Sequence, residues 1–367
     1  MRWEAFGVND VKANKNKDKK LKKSLPDGRL FYFQKLEGVT NVKKGFLKQT
    51  IFEQKEETMP PYAFFKEQFM PLAEAKVGIL TQSLHYGTAT FGGIRGNWDS
   101  EQKRFCLFRI KDHYKRMLDA CRILRIQLPY SIDDMCQLTI ELVGKGGYQE
   151  NVYIRPLAYK SSEAIGVKLH DLEDDFLIIV TQFPPYLGTE GVRCCTSSWR
   201  RVDDTMIPAR GKICGAYVNS ALAKTDAHEN GFDEAILLTH DGHVSEGTGE
   251  NIFLVINGKL VTPPSSDNIL MGITRDTVMK LAKNELGIDT IERSVDRSEL
   301  YLAEECFFTG TATNIAQIVE IDHRPVGNGQ TGQITAKLQE LFAQVVLGRN
   351  PKYSDWYTLV SLARVEA

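Results

Sequence analysis

With 367 residues, 42% of them hydrophobic, the chain is long enough to bury two cores, and no run approaches the roughly eighteen apolar residues of a membrane span. The net charge is only −1 and unevenly placed: residues 1–58 hold 14 Lys/Arg against 8 Asp/Glu, and the mildly acidic remainder gives nucleic acid no broad basic surface. Seven cysteines without a CxxC pair read as reduced thiols, not as a disulfide framework or a zinc ribbon. The opening residues lack the apolar core of a signal peptide, so the expected compartment is the cytoplasm.

Residues 1–58 start polar and lysine-rich (KANKNKDKKLKK) without hydrophobic period, and are expected to be a basic, poorly ordered extension. Dense patterning begins at Met59, and a small first domain is expected over 59–187. Within it LHYGTATFGGIR (84–95) is a Gly-punctuated segment and FCLFRI (105–110) a strand. Residues 111–125 place Tyr114, Met117, Leu118, Cys121 and Leu124 at helical spacing, and 132–144 repeats the pattern beyond Pro129. NVYIRPLAY (151–159) and DFLIIVTQF (175–183) read as strands. A linker is expected at 188–192, followed by a larger domain over 193–367.

In that second domain a helix over 213–229 should close at Asn230-Gly231. Two hairpins follow, one turning through His240 to His243 (HDGH), the other through Asn257-Gly258, where Asp-Gly and Asn-Gly supply positive φ. Thr274 is expected to cap a helix closed by Gly287, and Asp296 with Glu299 has the form of a capping box. Strands at 305–309 and 315–320, a turn at 322–329 and a helix over 332–347 complete the pattern. Strands and helices without regular βαβ alternation favour an α+β fold over a doubly wound sheet.

The chemistry concentrates in Ile207–Asn251. Lys212 sits among small residues (Gly211, Cys214, Gly215), with Tyr217 five positions on and an acidic Gly-rich turn at Glu246–Glu250. Desolvation disfavours the charged form of a lysine, and the neutral amine is a nucleophile able to form a Schiff base. GIT (272–274) opens the helix at Thr274, where outward backbone N–H groups are expected to offer an anion site, and GTAT (310–313) offers hydroxyls and free amides. No GxxxxGK[ST] occurs, and GKGGY (144–148) is only a Gly-rich turn. His240 and His243 flank a tight turn with no third ligand beside them, so no metal site is expected.

LHYGTATFGGIR (84–95), YKRML (114–118), YIRPL (153–157), SSWRR (197–201), IPARGKICGAY (207–217), SEGTGENIF (245–253), GITRD (272–276) and SELYLAEECFFTGTA (298–312), in this order and spacing, resemble the fold-type IV pyridoxal-phosphate aminotransferases, most closely the branched-chain amino acid aminotransferases. The resemblance implies a two-domain, D-amino acid aminotransferase-like fold with pyridoxal 5'-phosphate as cofactor. It implies exchange of an amino group between leucine, isoleucine or valine and 2-oxoglutarate, giving branched-chain 2-oxo acids and glutamate, either as the last step of biosynthesis or the first of degradation. Lys212 would carry the cofactor and move the proton; Glu246 would pair with the ring nitrogen and Tyr217 with the phenolic oxygen. Arg116, Ile273, Thr274 and Thr311 would hold the phosphate. Tyr153, Thr311 and Ala312 would take the α-carboxylate, Arg155 the distal carboxylate of glutamate, and Phe91, Tyr86 and Tyr186 would form the apolar wall.

The resemblance further implies a homodimer or higher homo-oligomer, in which a neighbouring subunit's loop completes the site, and no nucleic-acid or membrane partner. Two departures bear on specificity. Gly92 stands where the family usually has an acidic residue, and QFPPYLG is shortened and lacks a tryptophan, so a wider pocket that also accepts phenylalanine and methionine is expected. A D-amino acid aminotransferase or an aminodeoxychorismate lyase would share the Lys and Glu, but YIRP and EGTGEN argue against both.

Overall fold

Period-two alternation organises the first sheet. Along Val152–Lys160, Val152, Ile154, Pro156 and Ala158 are buried in one core while Tyr153 and Arg155 face the other way. This is a computed structural model, and it describes residues 22–24, 30–32, 61–182 and 191–361. Lys22–Ser24 and Leu30–Tyr32 pair antiparallel within residues 1–56; the rest of the expected extension lies outside the described residues.

Val152–Lys160 is the middle of an antiparallel sheet. Ile94–Asp99, Arg104–Phe108 and Tyr357–Ser361 lie on one side of it, and Asp174–Gln182, Tyr62–Phe65 and Gln68–Pro71 on the other. Ala89–Phe91 adds to its far end in register Ala89 to Tyr159. Helices Ile110–Leu124 and Ile132–Lys145 cover one face, burying Tyr114, Met117, Met135 and Leu142 against Ile154, Phe176 and Ile178. Ser131 and Asp134 close a capping box at the start of the second of these helices. Each such large apolar side chain contributes about 1.5–3 kcal/mol on burial.

The second sheet is mixed. Val192–Arg200 runs parallel between Glu234–Leu238 and Asn314–Ile321, and the order continues through Glu305–Gly310, Asn251–Ile256 and Lys259–Thr262. One face packs on Val295, Leu300 and Ala303. The other packs on helices Ile273–Leu286 and Gln333–Val346 through Phe253, Phe307, Val278, Leu281 and Phe342. Both hairpins form where expected, with Asn257 and Gly258 at positive φ in the second. Among the described residues no helix is long and apolar enough to cross a membrane.

Two expectations need correction. Gly272, not Thr274, is the N-cap of the helix that ends before Gly287, and Thr274 is buried inside the first turn. The expected Asp296/Glu299 capping box is present and opens a short 3-10 segment, Arg297–Tyr301. Val192, at the end of the expected linker, already begins a strand; residues 188–190 lie outside the described residues.

Two joints fix the sheets to one another. Arg109 has φ 50 at the head of helix Ile110–Leu124. Its guanidinium bonds Asp112 at 2.6 Å, Asp276 at 2.5 Å and the Thr277 hydroxyl at 3.0 Å, tying that helix to the start of Ile273–Leu286. Gly87 (φ +66) lies under the 211–215 segment: the Gly215 N–H donates to the Gly87 carbonyl at 3.3 Å, and a Cβ on Gly87 would sit 2.9 Å from the Gly215 Cα. That contact is backbone to backbone and cannot be relieved by a rotamer. Gly87→Val is expected to lower the unfolding free energy by about 1–3 kcal/mol from backbone strain alone. An unchanged urea midpoint in that variant would show that the approach is not constrained.

Candidate active site

Between the sheets lies a cavity of about 670 Å³. Phe91, Arg116, Tyr153, Arg155, Lys212, Tyr217, Glu246, Ile273, Thr274, Thr311 and Ala312, all singled out in the sequence, line it together.

Lys212 is placed by its backbone. Its carbonyl accepts from the Phe91 N–H and the Thr90 hydroxyl, each at 3.1 Å, and Thr90 bridges to Ile213. Gly211 keeps the segment thin, since a Cβ there would meet the Ile213 side chain at 3.0 Å. The amine donates to the Tyr217 hydroxyl at 2.5 Å and lies 4.9 Å from the centroids of both the Tyr217 and Phe91 rings. Burial, then the Arg116 charge, hold it down to about 8, opposed by Tyr153 and Glu246. Burial likewise raises the Tyr217 phenol above its ordinary range.

Glu246 is 5% exposed, and its carboxylate is surrounded by donors. Arg201 approaches at 2.8 Å, the Asn251 side-chain amide donates at 2.8 Å, and the Leu270 N–H donates at 3.1 Å. Burial pushes this carboxyl up and Arg201 draws it back. A buried carboxylate is tolerable only when so paired. Arg201 is itself pinned, its backbone N–H donating to the Leu238 carbonyl and its Nε to the Asn268 carbonyl. Arg201 lies in SSWRR but was not singled out, because nothing local shows that it faces Glu246.

Arg116 lies along the start of helix Ile273–Leu286, donating to the Met271 carbonyl at 3.1 Å. No side chain caps that helix, so its first amides remain open toward the cavity. Gly272 makes room for this arrangement, since a Cβ would fall 2.0 Å from the Asn251 Oδ1. Tyr153 and Arg155, two residues apart on one strand face, stand across from Thr181, a lining residue that the sequence did not suggest. The Arg155 guanidinium donates to the Tyr153 hydroxyl at 2.9 Å and stacks 4.4 Å over Phe91. Among the described residues neither Arg116 nor Arg155 is paired with a carboxylate. Among the described residues the Thr309 hydroxyl and the Arg155 Nε are buried without a hydrogen-bond partner. A cationic cavity with orphaned donors fits a ligand carrying anionic groups, and an amine of lowered pKa beside a buried carboxylate fits an aromatic aldehyde with a basic ring nitrogen.

Two expected wall residues depart from this picture. Tyr86 does not line the cavity; its hydroxyl turns away to accept the Gly166 N–H at 3.1 Å. Tyr186 lies outside the described residues. Gly92 also fails to widen the cavity: a Cβ there would point at Pro156, 2.7 Å away, whereas that of its lining neighbour Gly93 would meet Tyr153.

Residues 98–321 match the sequence profile of amino-transferase class IV. An Aquifex aeolicus protein named a probable branched-chain-amino-acid aminotransferase is 47% identical over 300 residues, covering 82% of this chain and 96% of that one. The branched-chain aminotransferase of Thermoproteus uzoniensis, solved with norvaline, superposes with a TM-score of 0.78 at 42% identity over 82% of this chain and 99% of its own. The branched-chain amino acid aminotransferase of Thermobaculum terrenum, solved in its PLP-form, gives 0.79 at 37% identity over 82% of this chain and 98% of its own.

The lowered lysine has a direct chemical signature. At pH 8 about half of the Lys212 amine is neutral, against about one part in three hundred for an ordinary lysine. Acylation of cofactor-free protein, followed peptide by peptide in mass spectra, should show Lys212 reacting with an inflection near pH 8. An inflection above pH 10 would mean that neither burial nor Arg116 acts on the amine.

Proposed function

The chain belongs to the class IV aminotransferase family, and we propose that it is a branched-chain-amino-acid aminotransferase that uses pyridoxal phosphate and exchanges amino groups between leucine, isoleucine or valine and 2-oxoglutarate. The single observation that carries this reading is the Lys212 amine, its pKa held down to about 8, opposite a buried Glu246 in a cavity whose Arg116 and Arg155 have no carboxylate partner among the described residues. Pyridoxal phosphate supplies an aldehyde carbon that takes up amines and a ring that withdraws electrons from the carbon being deprotonated.

The protein's own groups do the rest. Lys212 Nζ would take the proton from the substrate Cα as base and, once protonated, would give it up again as acid. Glu246, held by Arg201 and Asn251, would keep a proton on the cofactor's ring nitrogen. Tyr217 would offer its hydroxyl to the ring oxygen. Arg116, the open amides at Ile273 and Thr274, and Thr311 take the phosphate. Tyr153 and the amides of Thr311 and Ala312 take the α-carboxylate, and Arg155 the side-chain carboxylate of glutamate. The seven cysteines are free thiols, all buried or half-buried, which supports a cytoplasmic setting.

Purified protein should be yellow, should bleach with leucine alone, and should recover its colour with 2-oxoglutarate. Lys212→Ala should lose turnover by at least about a thousandfold while keeping its fold. If leucine leaves the spectrum unchanged while D-alanine bleaches it, the substrate assignment fails.

A second copy of the chain completes the proposal. Ile79, Leu84, Ile165 and Val167 are 84%, 65%, 65% and 90% exposed. Gln82, which donates to the Gly166 and Lys168 carbonyls, and the Thr81–Glu163 bridge hold the two segments together as one apolar surface. Isolated apolar residues need no explanation, but a joined patch beside Tyr86 supports docking of another subunit. The protein should sediment as a dimer or larger, and Leu84→Asp with Val167→Asp should yield monomers.

A further inference from the structure

The turn SEGTGEN carries a second buried carboxylate that the function above leaves unused. Glu250 is 3% exposed and lines the same cavity as Lys212. It lies between two turns: the Gly249 N–H donates to it at 3.0 Å, and the Thr313 hydroxyl at 3.2 Å. A Cβ on Gly247 would come within 3.0 Å of its Oε2, and one on Gly310 within 3.5 Å of its Cγ. Glu250 therefore underlies both ends of the 310–313 turn, whose amides at Thr311 and Ala312 receive anions in the proposed reaction. We propose that Glu250 is a positioning residue that braces this turn as an uncharged acid, and that its ionisation weakens binding of the substrate α-carboxylate above it. This rests on the proposed transaminase reading.

The electrostatic surroundings agree in sign. Burial, then the Glu234 carboxylate, push Glu250 up to about 7, while the Gly249 N–H, the Lys224 charge and the Thr313 hydroxyl draw it down. Glu234 faces it from strand Glu234–Leu238 and is fully buried, receiving the Lys224 ammonium at 2.6 Å and the Thr248 hydroxyl at 2.7 Å. Tyr217 and Lys224 face it from helix Tyr217–Glu229, and the Cys194 thiol from strand Val192–Arg200. Below about pH 7 the acid is neutral and its hydrogen bond to Thr313 can run in either direction. Above it, a negative charge appears beneath the amides that bind a carboxylate, so affinity falls as pH rises.

The test uses holoenzyme and 4-methylvalerate, which has the carbon skeleton and carboxylate of leucine and no amine. Between about pH 6 and pH 8.5 its Kd should rise roughly three- to tenfold in the natural protein, and by less than about twofold in Glu250→Gln. A rise of equal size in both proteins, or none in either, overturns the proposal. Should Glu250→Gln not fold, Thr313→Val decides: removing a donor that favours the ionised form must move the midpoint to higher pH, and an unmoved midpoint is equally fatal. Failure of the parent reading is distinct, appearing as no bleaching by leucine at any pH, and it would remove this proposal as well.

Discussion

Two arginines and a lysine around one cavity, the arginines without a carboxylate partner among the described residues, are the constraint on which the site depends. Lys212, Arg116 and Arg155 open onto it, while Glu246 is already occupied by Arg201. In a partly desolvated space like charges repel more strongly than in water, and the group that yields is the lysine, because an arginine stays protonated. Burial is the first cause of the lowered lysine, and the arginine charge that adds to it is the same charge that draws anions into the cavity. A ligand bringing a phosphate and a carboxylate relieves the repulsion and occupies the orphaned donors together.

Holding such an arrangement requires a scaffold that does not relax to pair its charges. The Arg109 clamp fixes the helix carrying Arg116 to the helix whose first amides face it. The Gly87–Gly215 approach fixes the lysine segment to the opposite sheet at a distance no larger side chain permits. In SEGTGEN every polar residue finds a partner: Ser245 donates to the Asp267 carbonyl, Glu246 meets Arg201 and Asn251, Thr248 meets Glu234, and Glu250 meets Thr313. Gly247 and Gly249 let Glu246, Thr248 and Glu250 turn to different neighbours within a single short turn.

How much of this could be read from the sequence depended on the range of the signal. Helices such as Ile110–Leu124, the Asn257-Gly258 hairpin and the Asp296/Glu299 capping box rest on contacts within a few residues, and these signals marked them. Val192–Arg200 left no such trace. VRCCTSSWR has little alternation, and it is a strand because parallel neighbours from distant sequence flank it. The family motifs gathered most cavity residues, since fixed spacing stands in for unseen contacts. They could not show where Tyr86 or Gly92 points, because Tyr86 is held by the Gly166 N–H eighty residues on and Gly92 follows the pairing of Ala89–Phe91 with Leu157–Tyr159. Arg201 escaped for the same reason: its carboxylate partner, Glu246, lies on a separate strand far along the chain.

Arg155 shows how one pocket can serve two unlike side chains in the proposed reaction. Its guanidinium is stacked on Phe91 and bonded to the Tyr153 hydroxyl, so it is held whether or not a substrate carboxylate arrives. The stacking compensates the cation by about 0.5–2 kcal/mol, which limits the cost of an aliphatic side chain that leaves it unanswered. An isolated buried arginine would reject leucine, and a purely apolar wall would reject glutamate. A charge already half-satisfied by π faces and a phenol discriminates weakly in both directions, which is what a site receiving both partners in alternation requires.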